Sequence, residues 1–248
     1  MINDEKQIIF IHIPKNAGTS IEWALMTDKQ KKECDKHEFG YEEWKVNYYN
    51  IEKINRHSKF NDYKHFESVK WLNYTKIAVI RNPYDRMVSW YNYLKRTCTN
   101  HENLWMDLQL RQLKQHDKVH GYIKSEMNHQ ELDNLMNHKP PRFNYSFEQF
   151  LQHDWKIAEL VKMAIGAGGN YKELFEPQCY WVDDSVKILK YENLKEDFNE
   201  LLPNINLPLI NQSERDKDHY ANYYTRKTAD MIYNKYKEDF KKYNYEKL

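Results

Sequence analysis

The segment Gln7–Ile13 (QIIFIHI) constrains the fold of this chain more than any other. Its apolar residues fill both faces of a strand instead of alternating, the pattern of a strand covered on both sides. It runs straight into Pro14, and from Gly18 to Met26 the residues Ile21, Ala24 and Leu25 recur at helical spacing. A buried strand, a short loop and a helix form the opening unit of an open α/β sheet. A second buried run, Lys76–Ile80 (KIAVI), ends at Arg81. After it Asn82 suits a helix N-cap, Pro83 the first helical position and Asp85 the first turn. Met87, Val88, Tyr91 and Leu94 then predict an apolar helix face. Val186–Leu189 predicts a third strand, followed by a helix from about Asn193 to Leu202. Ser146 is a candidate cap for a short helix holding Phe147, Phe150 and Leu151, and an amphipathic helix is expected from about Tyr220 to Phe240.

The loop between the first strand and helix is Pro14-Lys15-Asn16-Ala17-Gly18-Thr19-Ser20. A loop entering a helix directs backbone N–H groups outward, and the helix dipole adds positive potential there. Gly18 allows a close backbone approach, Lys15 supplies a cation, and Thr19 and Ser20 supply hydroxyl donors. Together they form a phosphate cradle. It departs from G-x-x-x-x-G-K-[ST], because Lys15 precedes Gly18 and Thr19 stands where the lysine would be. Arg81 ends the second strand where a nucleotide kinase places a metal-binding acid. An arginine there cannot hold a metal but pairs bidentately with phosphate. Arg86 and Ser89 follow on the next helix. The expected fold is therefore α/β: a P-loop-like three-layer α/β/α domain over residues 1–248, with a central, mainly parallel sheet. A polar, His-rich helical insertion is expected at residues 100–140, before Pro140-Pro141.

Net charge is +1 over 248 residues, which argues against nucleic-acid partners and polybasic membrane binding, so an anion site must be local. No run approaches the ~20 apolar residues of a membrane span, and no signal peptide is evident. A cytoplasmic location is the expectation. Cys34, Cys98 and Cys179 are an odd, sparse set and read as reduced thiols. Of Gly166, Gly168 and Gly169, a sharp turn or a close approach is expected. His116 and His120 have the i, i+4 spacing of a zinc helix, but no third ligand is evident, and no metal is expected.

IPKNAGTS resembles the 5′-phosphosulfate loop of sulfotransferases that use 3′-phosphoadenosine-5′-phosphosulfate (PAPS). IRNPYDRMVSWYNYL resembles their 3′-phosphate motif, R-x-P-x-x-R-x-x-S-x-Y, matched at Arg81, Pro83, Arg86, Ser89 and Tyr91. FEPQCYWV, ILKYENLKEDF and YANYYTRKTADMIYNKYKEDFKKYNY look like the C-terminal segments of the carbohydrate branch, which modifies heparan and chondroitin. The resemblance implies transfer of a sulfuryl group from PAPS to a hydroxyl on a carbohydrate or small molecule, releasing adenosine 3′,5′-bisphosphate, without a metal. It implies that Lys15 stabilises the departing oxygen and that residues Lys15, Asn16, Ala17, Gly18, Thr19 and Ser20 hold the 5′-phosphate. Arg81 and Ser89 would hold the 3′-phosphate. The candidate general base is His65, with His37 and His57 as alternatives, and His12 is expected to be structural. Gln178 is a candidate contact to the acceptor or the loop. A small-molecule kinase using ATP-Mg²⁺ and a non-catalytic nucleotide-binding protein are the competing readings. Oligomeric state stays open.

Overall fold

The computed structural model describes residues 1–35, 48, 56–99, 145–152, 171–208 and 219–248. The glycine loop at Gly166–Gly169, the His116–His120 pair, His37, Pro140-Pro141 and the insertion at 100–140 lie outside the described residues. The chain divides into two compact units, one of Met1–Met87 with Leu174–Leu248, the other of Val88–Glu173.

The first unit is built on a four-stranded sheet in the order β1 (Ile2–Asn3), β2 (Ile8–Ile11), β3 (Thr75–Ile80) and β4 (Lys187–Lys190). β1 pairs with β2 antiparallel, whereas β2–β3 and β3–β4 are parallel, with Phe10 opposite Ile77 and Val79 opposite Leu189. This is the mixed α/β, mainly parallel architecture expected. All four residues of β2 and the last four of β3 are buried, as unalternating apolar runs demand. β1 adds an antiparallel edge that the sequence pattern did not reveal, since two residues carry no period.

Parallel neighbours need crossover connections. Between β2 and β3 the chain passes through α1 (Gly18–Leu25), α2 (Asp28–Cys34), α3 (Phe60–Phe66) and α4 (Ser68–Asn73). α1 buries Ile21 and Leu25 completely, each contributing about 1.5–3 kcal/mol. α2 is started by a capping box, with Thr27 Oγ1 accepting from the Gln30 amide and the Gln30 side chain accepting from the Thr27 amide. After β3, α5 (Pro83–Thr99) begins as expected, with Asn82 Oδ1 accepting from the Tyr84 amide at 2.9 Å. α5 starts in the first unit and continues into the second.

In the second unit, α6 (Phe147–Gln152) is capped by Ser146, whose hydroxyl accepts from the Gln149 amide. Tyr91, Phe147 and Phe150 pack edge-on or tilted at ring distances of 5.3 and 5.6 Å from Tyr91.

After β4, the first unit continues with α7 (Leu194–Leu201). The single helix expected from Tyr220 to Phe240 is instead three elements: a 3₁₀ turn over Tyr220–Tyr223, α8 (Arg226–Lys235) and α9 (Lys237–Tyr243). One cause is local and one is distant. Thr225 makes a capping box with Thr228 and starts a new helix. Tyr236 leaves helical geometry between α8 and α9, where its buried hydroxyl donates to the Phe175 carbonyl at 2.8 Å.

Candidate active site

The loop after β2 carries two non-glycine residues in the left-handed region, Lys15 at φ 69° and Ala17 at φ 58°. Left-handed backbone costs an L-residue roughly 1–2 kcal/mol, so surrounding contacts must hold it. Asn16 is one such contact. Its side chain is buried and donates from Nδ2 to the Val79 carbonyl and to Gln178 Oε1, both at 2.7 Å, while its Oδ1 is buried and has no partner among the described residues. Asn16 thus stitches the loop to β3 with its side chain. Ala17 is the N-cap of α1, and its carbonyl accepts from the Ser20 and Ile21 amides. Ser20 is buried, and Lys15, Ala17 and Thr19 are partly accessible.

Gly18 has a reason that the sequence did not disclose. A Cβ there would stand 1.9 Å from His12 Nε2, so the imidazole occupies the space that a side chain would need. His12 is buried, and its Nδ1 meets Glu22 Oε1 at 2.8 Å. Arg56, partly exposed, donates from Nη2 to Glu22 Oε2 at 2.8 Å and to Thr19 Oγ1 at 2.9 Å. Burial opposes the Glu22 charge, but Arg56 and then His12 hold its carboxyl well below the usual range. Burial, aided by Arg56, lowers the His12 pKa to about 4 despite the attraction of Glu22. His12 is structural, as expected.

The second motif meets the first. Arg81 donates from Nη1 to the Lys15 carbonyl at 2.9 Å and from Nε to Asp85 Oδ2 at 2.7 Å. Its guanidinium lies 4.0 Å from the centre of the Tyr191 ring. Nη2 has no partner among the described residues. Burial works to raise the Asp85 pKa, and the net direction is upward although Arg81 pulls the other way. Arg86 is fully buried, and its guanidinium donates to the carbonyls of Pro14 (3.2 Å), Glu176 (2.9 Å) and Leu174 (2.8 Å). Of the two motif arginines, then, Arg81 keeps a terminal nitrogen in reserve, while Arg86 spends its donors on backbone. Ser89, half-buried on α5, belongs to the second unit.

Gln178 joins these parts. It is fully buried in a 3₁₀ turn, Gln178–Tyr180. Its Oε1 accepts from Asn16 Nδ2 at 2.7 Å and from the Arg81 amide at 2.9 Å, and its Nε2 donates to the Arg81 carbonyl at 2.8 Å. Asp239 of α9 accepts from the backbone amides of Gln178 and Cys179, both at 2.8 Å. Of the two roles expected for Gln178, the contact to the loop is the one seen. A polar residue amid Phe175, Trp181 and Val182 was the available signal. Arg56 carried none.

The histidines separate. His65 is exposed on α3, with its ring 4.8 Å from that of Phe66, and its contacts do not reach the loop. His57 is half-buried at the loop's base, its Nδ1 3.1 Å from the His12 carbonyl and its ring 4.7 Å from that of His12. A carbonyl only accepts, so Nδ1 carries the proton and Nε2 is the basic nitrogen. Burial, then His12 and Arg56, hold the His57 pKa well below the ordinary value. Among the described residues no group of acidic, histidine or cysteine side chains could hold a metal ion, and no helix is long and apolar enough to cross a membrane.

The sequence profile described as the sulfotransferase family matches residues 1–246. No curated protein and no solved structure matches the chain.

Proposed function

The chain belongs to the sulfotransferase family, and from that premise we propose that it transfers the sulfuryl group of PAPS to a hydroxyl of a carbohydrate or other small acceptor. The observation that carries this reading is the 2.9 Å hydrogen bond from Arg81 to the Lys15 carbonyl. It brings the end of β3 against the loop after β2, so one ligand with phosphates at both ends can engage both.

PAPS supplies the sulfuryl group and a phosphate leaving group. The residues fit its two anionic ends. At one end the amides of Ala17, Gly18 and Thr19, at the N-terminus of α1, and the Thr19 and Ser20 hydroxyls receive the 5′-phosphate. The Lys15 ammonium stabilises negative charge growing on the departing oxygen. At the other end Arg81 offers Nη2 to the 3′-phosphate while Asp85 and Tyr191 keep the guanidinium in place. For the base, the geometry favours His57 over His65. His57 sits at the loop with Nε2 unprotonated, and that nitrogen takes the proton of the acceptor hydroxyl. A lowered pKa keeps it in the accepting form at neutral pH.

Isothermal titration with adenosine 3′,5′-bisphosphate and with ATP-Mg²⁺, beside a sulfate-transfer assay over sugars and phenols, tests the reading. The bisphosphate should bind and ATP-Mg²⁺ should not. Arg81→Ala should weaken bisphosphate binding at least about tenfold. Lys15→Ala should lower turnover more than binding, and His57→Ala should lower turnover about 10²–10⁴-fold while His65→Ala leaves it within about twofold. Preference for ATP-Mg²⁺ would move the protein to phosphoryl transfer, and bisphosphate binding without turnover on any acceptor would make it a binding protein.

A further inference from the structure

Resting on that reading, we propose that Arg56 is a positioning residue for the 5′-phosphate, acting through the Thr19 hydroxyl. Thr19 has one hydroxyl hydrogen and two lone pairs, whereas the Arg56 guanidinium is a donor only. The 2.9 Å contact from Arg56 Nη2 therefore uses a lone pair of Thr19 Oγ1. The hydroxyl hydrogen therefore points away from Arg56 and is available to another acceptor. Thr19 lies in the first turn of α1, where amides and dipole favour an anion, so the acceptor is a phosphate oxygen. Without Arg56 the hydroxyl could rotate and present a lone pair to that anion.

The geometry makes Arg56 suited to this task. Glu22 stands three residues after Thr19, on the same face of α1. The guanidinium spans both, with Nε and Nη2 on Glu22 Oε2 at 3.1 and 2.8 Å and Nη2 also on Thr19. Glu22 is itself fixed by His12 Nδ1 at 2.8 Å. Thr19, Arg56, Glu22 and His12 thus form a chain from the helix start back to the end of β2. A lysine could satisfy Glu22 but has no planar fork to reach Thr19 at the same time. Arg56 also precedes His57, so the same clamp holds the proposed base beside the loop.

A double-mutant cycle on adenosine 3′,5′-bisphosphate binding tests this. Arg56→Lys should weaken binding about tenfold with Thr19 present and less than about twofold in the Thr19→Ala background. In turnover it should raise the KM for PAPS more than it lowers kcat. Equal weakening in both backgrounds, or no weakening in either, overturns the proposal, because a merely structural Arg56 would not couple to Thr19. Should Arg56→Lys not fold, the paired exchange Arg56→Gln with Glu22→Gln, which removes both charges, carries the same cycle. Failure of the unsubstituted protein to bind the bisphosphate sinks the donor reading and this inference with it. Binding with no Arg56–Thr19 coupling sinks this inference alone.

Discussion

Replacing Gln178 by methionine should destabilise the protein by about 2–6 kcal/mol. Methionine matches glutamine closely in length, so little volume changes and the loss is almost purely of hydrogen bonds. Gln178 satisfies both the amide and the carbonyl of Arg81, at 2.9 and 2.8 Å, in a fully buried position. Removing it leaves a buried donor and a buried acceptor without partners, each costing about 1–3 kcal/mol. The neighbours lose less, because Asn16 Nδ2 keeps the Val79 carbonyl and Asp239 keeps the Gln178 and Cys179 amides. A chain of this size then melts roughly 5–20 °C lower. Urea denaturation with linear extrapolation, followed by tryptophan fluorescence, measures the effect. A loss below about 1 kcal/mol with an unchanged m-value would refute the reasoning, since water or a small backbone shift would then be replacing the amide.

Gly18→Ala should cost roughly 1–3 kcal/mol by overpacking, because the new methyl meets a His12 ring already fixed by Glu22; a melting temperature equal to the parent's would contradict that geometry. Stability should fall as pH is lowered from about 6.5 towards 4. His12 has a folded pKa of about 4 against 6.5 unfolded, so the unfolded chain binds more protons across that window and about 3 kcal/mol is lost. His57 acts with the same sign, and the lowered Glu22 carboxyl adds a loss in acid, its contribution vanishing as pH falls through its folded value. Denaturation midpoints that stay level between pH 7 and pH 5 would contradict this. Ala17→Gly should change stability by less than about 1 kcal/mol, because relief of the left-handed strain at φ 58° is offset by the greater freedom of the unfolded glycine; a larger loss in calorimetry would show that the methyl is packed.

The loop after β2 could be read as a candidate phosphate cradle because the features that suggest one are local. A buried strand, Lys15, Gly18, the two hydroxyls and a helix lie within one short stretch. Asn82, Ser146 and the two long buried strands were legible for the same reason, since caps and runs are decided by near neighbours. Arg56 was not, and for Gln178 only a choice between acceptor and loop could be read, because their partners are set by the fold. Arg56 reaches Glu22 across 34 residues, and Gln178 reaches Asn16 across 162. Sequence position likewise offered no way to rank 11 histidines, and only burial and the His12 carbonyl separate His57 from His65. The break at Tyr236 escaped the helical periodicity of Tyr220–Phe240 because a distant carbonyl, that of Phe175, draws the hydroxyl in. Gly18 was expected to be glycine for the ligand's sake, yet a histidine just after the preceding strand already requires it.

The Gln178 bridge also fixes the order in which the protein can mature during synthesis. Arg81 leaves the ribosome 97 residues before Gln178, an interval of about 5–20 s, and Asp239 follows 61 residues later still. Through that interval the nascent β3 end must keep the Arg81 amide and carbonyl hydrated or hand them to a chaperone. The tie between Arg81 and the loop residue Asn16 therefore closes only after Gln178 has emerged, so a chain stalled before it can hold its first two long strands and still leave the Arg81 backbone unpinned.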